Sequence, residues 1–180
     1  MDCGLPENSS YAEPTTSINY VSDAAFISTG ESKSVSAVYE ANLQVQARTV
    51  RSFPDGIRNC YKVNTRKGTK YLIRASFLYG NYDAKNAPPR FDLHLGANFW
   101  DSVRMYDSLS SVIKEIVHFP AQNHVRVCLV NTGNGTPFLS ALELRPLKNT
   151  TYEVQSGMSL AVFVRLDLGS ATNLTYRYNK

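Results

Sequence analysis

The stretch from Tyr71 to Tyr79 constrains the fold of this chain more than any other. Tyr71, Ile73, Ala75, Phe77 and Tyr79 recur at every second position, with Arg74 and Ser76 between them. Successive side chains point to opposite faces of a strand, so this spacing predicts a strand with one continuous apolar face. β-Branched and aromatic residues are frequent in it, and no proline follows until Pro88. The strand runs directly into Gly80-Asn81-Tyr82-Asp83, a turn-forming segment that sets two tyrosines beside an amide and a carboxylate.

The rest of the chain repeats this plan. Strands are expected at Asn19 to Ile27, Ser32 to Tyr39, Arg48 to Phe53, Asn59 to Asn64, Phe91 to Leu95, around Val103 and Met105, Val112 to Phe119, His124 to Asn131 and Phe138 to Leu147. A very short strand is expected at Met1 to Cys3, while Glu40 to Ala47 fits either one helical turn or an extended segment. Turns such as Pro54-Asp55-Gly56, Thr65-Arg66-Lys67-Gly68 and Thr132-Gly133-Asn134-Gly135 separate the strands. Short strands at this spacing, without a convincing helix, predict an all-β fold of the sandwich type.

At 180 residues, 43% of them hydrophobic, the chain is long enough to bury a real core. Its formal charge of +4 is partly local, because Arg58, Lys62, Arg66, Lys67, Lys70 and Arg74 occur with no acidic residue among them. These six are the candidate polyanion-binding residues, against the plainer reading of a solvated strand face. Three cysteines, Cys3, Cys60 and Cys128, admit at most one internal disulfide. Cys60 and Cys128 fall in apolar strands, where a buried free thiol is the expected state. No metal-ligand spacing is present, so neither a metal nor another cofactor is expected.

Sequons at Asn8, Asn134, Asn149 and Asn173 fall in expected turns and mark candidate glycosylation sites of a secreted chain. Met1-Asp2-Cys3-Gly4 lacks the basic and apolar regions of an export signal, and no run reaches the length of a membrane span. Together these predict a piece of a longer secreted or membrane-anchored protein, which itself makes no membrane contact.

Catalysis finds little support. His94, His118 and His124 adjoin no nucleophile or zinc motif. Asp55, Asp83, Asp92 and Asp101 are the carboxylates a glycoside hydrolase would draw on, and Asp55 is better explained by its turn. Recognition fits better. Sugars stack their apolar faces on aromatic rings while amides, carboxylates and guanidinium groups bond their hydroxyls. Tyr79, Asn81, Tyr82, Asp83, Arg90, Trp100 and Tyr106 are the candidate ligand-binding residues on these grounds, with core packing of Tyr79 and Trp100 as the competing reading. An exposed tyrosine at a loop tip suits a peptide equally well. No aromatic RNA-binding motif is present, so nucleic acid is not an expected partner.

Several segments in fixed order resemble a known family. They are Asp2-Cys3-Gly4, Arg51 to Tyr61, Tyr71 to Asp83, Phe91 to Gly96, Cys128 to Gly133 and Ser140 to Leu147. The chain is similar, over essentially its whole length, to the malectin-like extracellular domain of plant leucine-rich-repeat receptor-like kinases. The resemblance implies a jelly-roll-type β-sandwich and an extracellular position at the plasma membrane surface, as part of a longer receptor. It also implies a cell-wall oligosaccharide or a signalling peptide as ligand, and a co-receptor ectodomain as partner. Tandem lobes in that family agree with an echo of Met1-Asp2-Cys3-Gly4 at Leu166-Asp167-Leu168-Gly169. The expected organisation is a malectin-like lobe at 1–150, a linker at 151–158 and the truncated start of a second lobe at 159–180.

Overall fold

The computed structural model describes residues 1–41 and 43–162. Two four-stranded antiparallel sheets face each other. Sheet I has the order β5 (Arg58–Asn64), β10 (His124–Asn134), β7 (Arg90–Leu95), β8 (Asn98–Arg104). Sheet II has the order β12 (Ala141–Leu147), β6 (Lys70–Phe77), β9 (Val112–His118), β13 (Ser159–Ala161). A three-stranded sheet of β11 (Phe138–Leu139), β4 (Thr49–Ser52) and β3 (Glu31–Ser34) closes one side, and β1 (Ser10–Ala12) pairs with β2 (Asn19–Val21). This is the expected β-sandwich.

The stretch from Tyr71 to Tyr79 takes the central place its alternation predicts. Ile73, Ala75, Phe77 and Tyr79 are fully buried and meet Tyr61, Phe91, Leu93, Val103 and Val127 of sheet I. Phe138 is the hub of an aromatic cluster, with Phe77, Tyr79, Tyr82 and Phe91 at centroid distances of 5.2–6.2 Å. Offset and edge-on contacts in this range add to the burial of the rings themselves.

The two sheets differ on their outer faces. Leu72, Arg74, Val117 and Glu143 point outward from sheet II, yet all four are buried. Tyr20 of β2 covers that face and donates its hydroxyl to Glu143 at 2.6 Å. Residues 148–158, which include the linker expected at 151–158, form a strap whose carbonyls at Asn149, Thr151 and Tyr152 accept from Lys70 Nζ. Ser159–Ala161 then extends sheet II at its edge, against β9, and is exposed. The remainder of the expected second lobe, including Leu166 to Gly169, lies outside the described residues. Among the described residues, nothing comparable covers the outer face of sheet I, where Arg58, Lys62, Arg90, Arg104 and Arg126 are exposed.

Local departures from the expected strands have physical causes. The strand expected to Ile27 stops at Val21, because Asp23 turns inward to meet Arg51. A single 3-10 turn follows at Ala24–Phe26. The strand expected to Tyr39 stops at Ser34 and gives way to α1 (Ala37–Glu40), and Val45–Ala47 forms a further 3-10 turn.

Met1 to Cys3 is a clamp rather than a strand. Asp2 bridges both Ser22 and Ala141, and its carboxylate accepts from Tyr11 Oη (2.7 Å) and Thr49 Oγ1 (2.9 Å). Gly4 has φ +91°, and a Cβ there would stand 2.4 Å from the Val50 carbonyl oxygen, so only glycine fits. Burial pushes the Asp2 carboxyl up to about 6, against the hydrogen bonds that favour its charged form. A raised folded-state pKa means that this group's stabilisation is full below its unfolded value near 4 and is lost as pH rises through about 6. Asp2→Asn is therefore expected to flatten the pH dependence of the melting temperature between these limits. An unchanged pH profile in the variant would rule this out.

Candidate functional site

The Gly80–Asp83 loop is the first sequence candidate, and the structure turns most of it inward. Tyr79 has no exposed surface. Its hydroxyl lies between Asn81 Oδ1 (3.2 Å) and the Asp83 carboxylate and accepts from the Ala87 N–H (3.3 Å). Burial and the Asp83 contact both raise its pKa. Tyr82 is half-buried against Phe138, its hydroxyl near Ser52 Oγ (3.3 Å) and the Thr136 carbonyl (3.4 Å), and burial pushes its pKa to about 12. Asn81 closes the loop on itself through Asn86, donating and accepting at 2.9 Å. These polar groups are spent on the loop and the rings on the core, so the loop offers no free stacking platform.

The other three candidates do not gather around it. Trp100 is only 9% exposed, for a reason the sequence hides. The β7–β8 register slips between Leu93 and His94, pairing Asp101 with Leu93 and Phe99 with His94. Trp100 is the extra residue of that bulge and packs into the core. Arg90 is exposed on sheet I, while Tyr106 is 82% exposed on the β8–β9 connection. Tyr106 lies on a connection that meets the loop through the backbone: Ser36, Gly80 and Ser108 are joined by hydrogen bonds of 2.8 Å that lace three connections together. Val38 (84% exposed) and Leu109 (55%) lie on the same connections.

The six-residue basic run divides between sheets, because β5 and β6 belong to opposite layers. Lys70 is buried, holds the strap and lies 6.0 Å from the Phe119 ring centroid. Arg74 is buried and ion-paired with Glu115 at 2.5 Å. Neither is available to a polyanion, which corrects the expectation for both. Arg66 and Lys67 stand exposed on the β5–β6 turn. Arg58 and Lys62 remain on the open face of sheet I, where the antiparallel register adds residues that no local reading connects to them. Arg126 stands directly opposite Lys62, and Arg90 opposite Arg104, all of them exposed. At about 3.3 Å per residue, Arg58 and Lys62 stand roughly 13 Å apart along β5. None of these seven cations takes part in the ion pairs of the described residues.

At one corner of this face, His94 meets Phe99 edge-on at 5.8 Å, and Phe99 is 60% exposed. Arg58 reaches His94 Nδ1 (3.4 Å) and donates to the Gly96 carbonyl. Phe99 is the exposed aromatic that the bulge substitutes for Trp100. At the centre, Cys60 and Cys128 face one another across β5 and β10 and form a disulfide, with Cα atoms 4.0 Å apart. That overturns the expectation of free thiols for both; Cys3 is the free, buried cysteine.

The carboxylates considered for hydrolysis are engaged in separate contacts. Asp83 bonds Tyr79, Asp92 accepts from Ser102 Oγ (2.6 Å), and Asp101 pairs with Lys114 (2.8 Å). Asp55 heads its turn, its carbonyl accepting from Asn59 Nδ2. Among the described residues no three His, Cys, Asp or Glu side chains gather as a metal site, and no helix is long and apolar enough to cross a membrane. The sequons at Asn8, Asn134 and Asn149 are exposed; Asn173 lies outside the described residues.

Comparison with known proteins places these features in a family. The malectin-like domain profile matches residues 1–180. A putative leucine-rich repeat receptor-like protein kinase of Arabidopsis thaliana is 51% identical over 181 residues, covering 99% of this chain and 20% of the kinase. The LRR receptor-like serine/threonine-protein kinase IOS1 of the same plant is 48% identical over 178 residues, again 99% of this chain and 20% of the kinase. The chain thus spans about a fifth of the length of these relatives. Among solved structures, the ANX1 ectodomain from Arabidopsis thaliana shares the fold, with a TM-score of 0.67, 14% identity and coverage of 89% of this chain and 45% of that one. The chain belongs to the malectin-like domain family, in the form carried by plant receptor-like kinases.

Proposed function

We propose that this chain is a non-catalytic, extracellular reading module of a receptor-like kinase, and that it recognises an acidic cell-wall carbohydrate. The observation that carries this reading is the open face of sheet I. Sheet II is covered on its outer side, whereas Arg58, Lys62, Arg90, Arg104 and Arg126 stand exposed on sheet I outside any ion pair of the described residues. A flat array of cations spaced at strand intervals suits a linear polymer with a carboxylate on each unit. Asn8, Asn134 and Asn149, all at exposed positions, are the glycosylation sites that belong to this reading.

Binding of oligogalacturonides to the purified domain, measured at low and moderate salt beside neutral glucose oligomers, tests this reading. The acidic oligomers are expected to bind, to weaken with salt, and to lose about tenfold in affinity in Lys62→Glu/Arg126→Glu, equivalent to about 1.4 kcal/mol. Salt-insensitive binding of neutral sugars alone would overturn it. One observation favours a second reading, a signalling peptide or a partner ectodomain. Val38, Tyr106 and Leu109 are exposed apolar groups on connections laced together at one end of the sandwich, the composition of an interface core. A folded domain that binds no glycan, together with a peptide ligand lost in Tyr106→Ala, would establish that reading instead.

A further inference from the structure

The end of the sandwich away from the Gly80–Asp83 loop holds a groove of about 580 Å³. The tip of the β7–β8 hairpin (95–98) forms one wall, the β9–β10 connection another, and Gly157 of the strap closes a third side. Asn98, Gln122, His118, His124 and Arg126 supply its polar lining, and no Asp or Glu lines it among the described residues. Most of these groups donate hydrogen bonds, which makes the groove complementary to an anion that also carries hydroxyls.

Its walls are held by the backbone. The Gly96 N–H donates to the Arg126 carbonyl at 2.8 Å, which fastens the hairpin to β10. The Thr65 N–H donates to the Asn123 carbonyl at 2.9 Å, and the Thr65 hydroxyl to the Gln122 carbonyl at 3.3 Å, fixing the connection to the end of β5. Behind it, His118 Nδ1 and Ser159 Oγ are 2.8 Å apart. A groove fixed in this way loses little freedom when a ligand enters.

Arg126 connects the groove to the open face of sheet I, because it lines the one and stands opposite Lys62 on the other. We propose that the groove is a subsite for the terminal, carboxylate-bearing sugar of an acidic glycan, whose chain continues over the cationic face. The inference rests on the carbohydrate reading above and adds the place where the polymer ends. Arg126 presents a fork suited to the sugar carboxylate. The Asn98 and Gln122 amides and the His124 imidazole bond the ring hydroxyls. Phe99, next to Asn98 on the hairpin and exposed, offers a ring for an apolar sugar face.

The test is a calorimetric titration of the folded domain with digalacturonate and with polygalacturonate. Asn98→Ala/His124→Ala is expected to weaken digalacturonate about tenfold and the polymer by less, since the polymer keeps its contacts to the face. Lys62→Gln/Arg90→Gln is expected to show the reverse ranking, weakening the polymer more than the dimer. An unchanged melting temperature controls for folding, and His124→Gln, which keeps a polar side chain, serves as a milder second variant. If the groove pair binds digalacturonate as the unaltered protein does, the groove is not a subsite, while polymer binding through the face stands. If the unaltered protein binds neither ligand, the carbohydrate reading falls and the subsite with it.

Discussion

Replacing Asp23 by alanine is expected to destabilise the domain by about 3–5 kcal/mol, enough to leave much of it unfolded, because it strands a buried charge. The Asp23 side chain is wholly buried. Its two oxygens accept from Arg51 Nε (2.5 Å), an Arg51 terminal nitrogen (2.7 Å), the Tyr61 hydroxyl (2.8 Å) and the Gly4 N–H (3.1 Å). The Arg51 side chain is itself only 11% exposed, so its charge has no ready alternative in water. Asp23→Asn keeps the shape and part of the bonding and should fall between. The contrast is the Glu31–Lys33 pair, with side chains 54% and 46% exposed, where Lys33→Ala should cost less than about 1 kcal/mol. Urea unfolding of the three variants checks the ranking, and an Asp23→Ala loss no larger than that of Lys33→Ala would overturn it. The effect reaches function. Through Gly4, Arg51 and Tyr61, Asp23 joins the N-terminal clamp to β4 and to β5, the strand that carries Arg58 and Lys62.

What was legible in the sequence, and what was not, follows from the range of the interactions involved. Period-2 alternation is local, so the strand at Tyr71, those containing Cys60 and Cys128, and the return from Phe138 to Leu147 were all readable. Lys70 and Arg74 read as surface cations because nothing near them in sequence announces a cover. Their burial comes from a strap about eighty residues later, and from Glu115 on a neighbouring strand. The basic run looked continuous because a turn joins β5 to β6, but that turn passes from one sheet to the other. Arg126 belongs with Lys62 only through the β5–β10 register, which no local pattern contains. A single bulge decides that Phe99 rather than Trp100 reaches solvent, and no local pattern announces it. Core packing of Tyr79 follows from the alternation of its strand, and Tyr82 packs with it against Phe138. Tyr82→Ala would therefore report on stability more than on ligand stacking.

Removing the Cys60–Cys128 bridge is the second change with a large expected effect. The bond closes a loop with a sequence separation of 68, for which the chain-entropy treatment gives about 4 kcal/mol and measured losses run about 2–5 kcal/mol. Cys60→Ser/Cys128→Ala suits the site, since Cys60 is partly exposed and Cys128 is buried. The location gives the loss a second consequence. β5 lies at the edge of sheet I, and β10 is its one neighbour in that sheet. The disulfide ties the two strands at Cys60, between Arg58 and Lys62 on β5 and beside Arg126 on β10. Without it, β5 depends on the ladder alone, and its two cations lose their fixed spacing relative to Arg126. Unfolding midpoints should therefore fall, and affinity for an acidic polymer should fall even where the variant remains folded. Affinity for digalacturonate should fall less, because Asn98, Gln122, His124 and Arg126 lie on β8, β10 and the connection into β10. Denaturant titration and calorimetry on the same samples separate the two effects. An unchanged midpoint would show that the ladder alone holds β5, and a parallel loss for dimer and polymer would show that β5 also supports the groove.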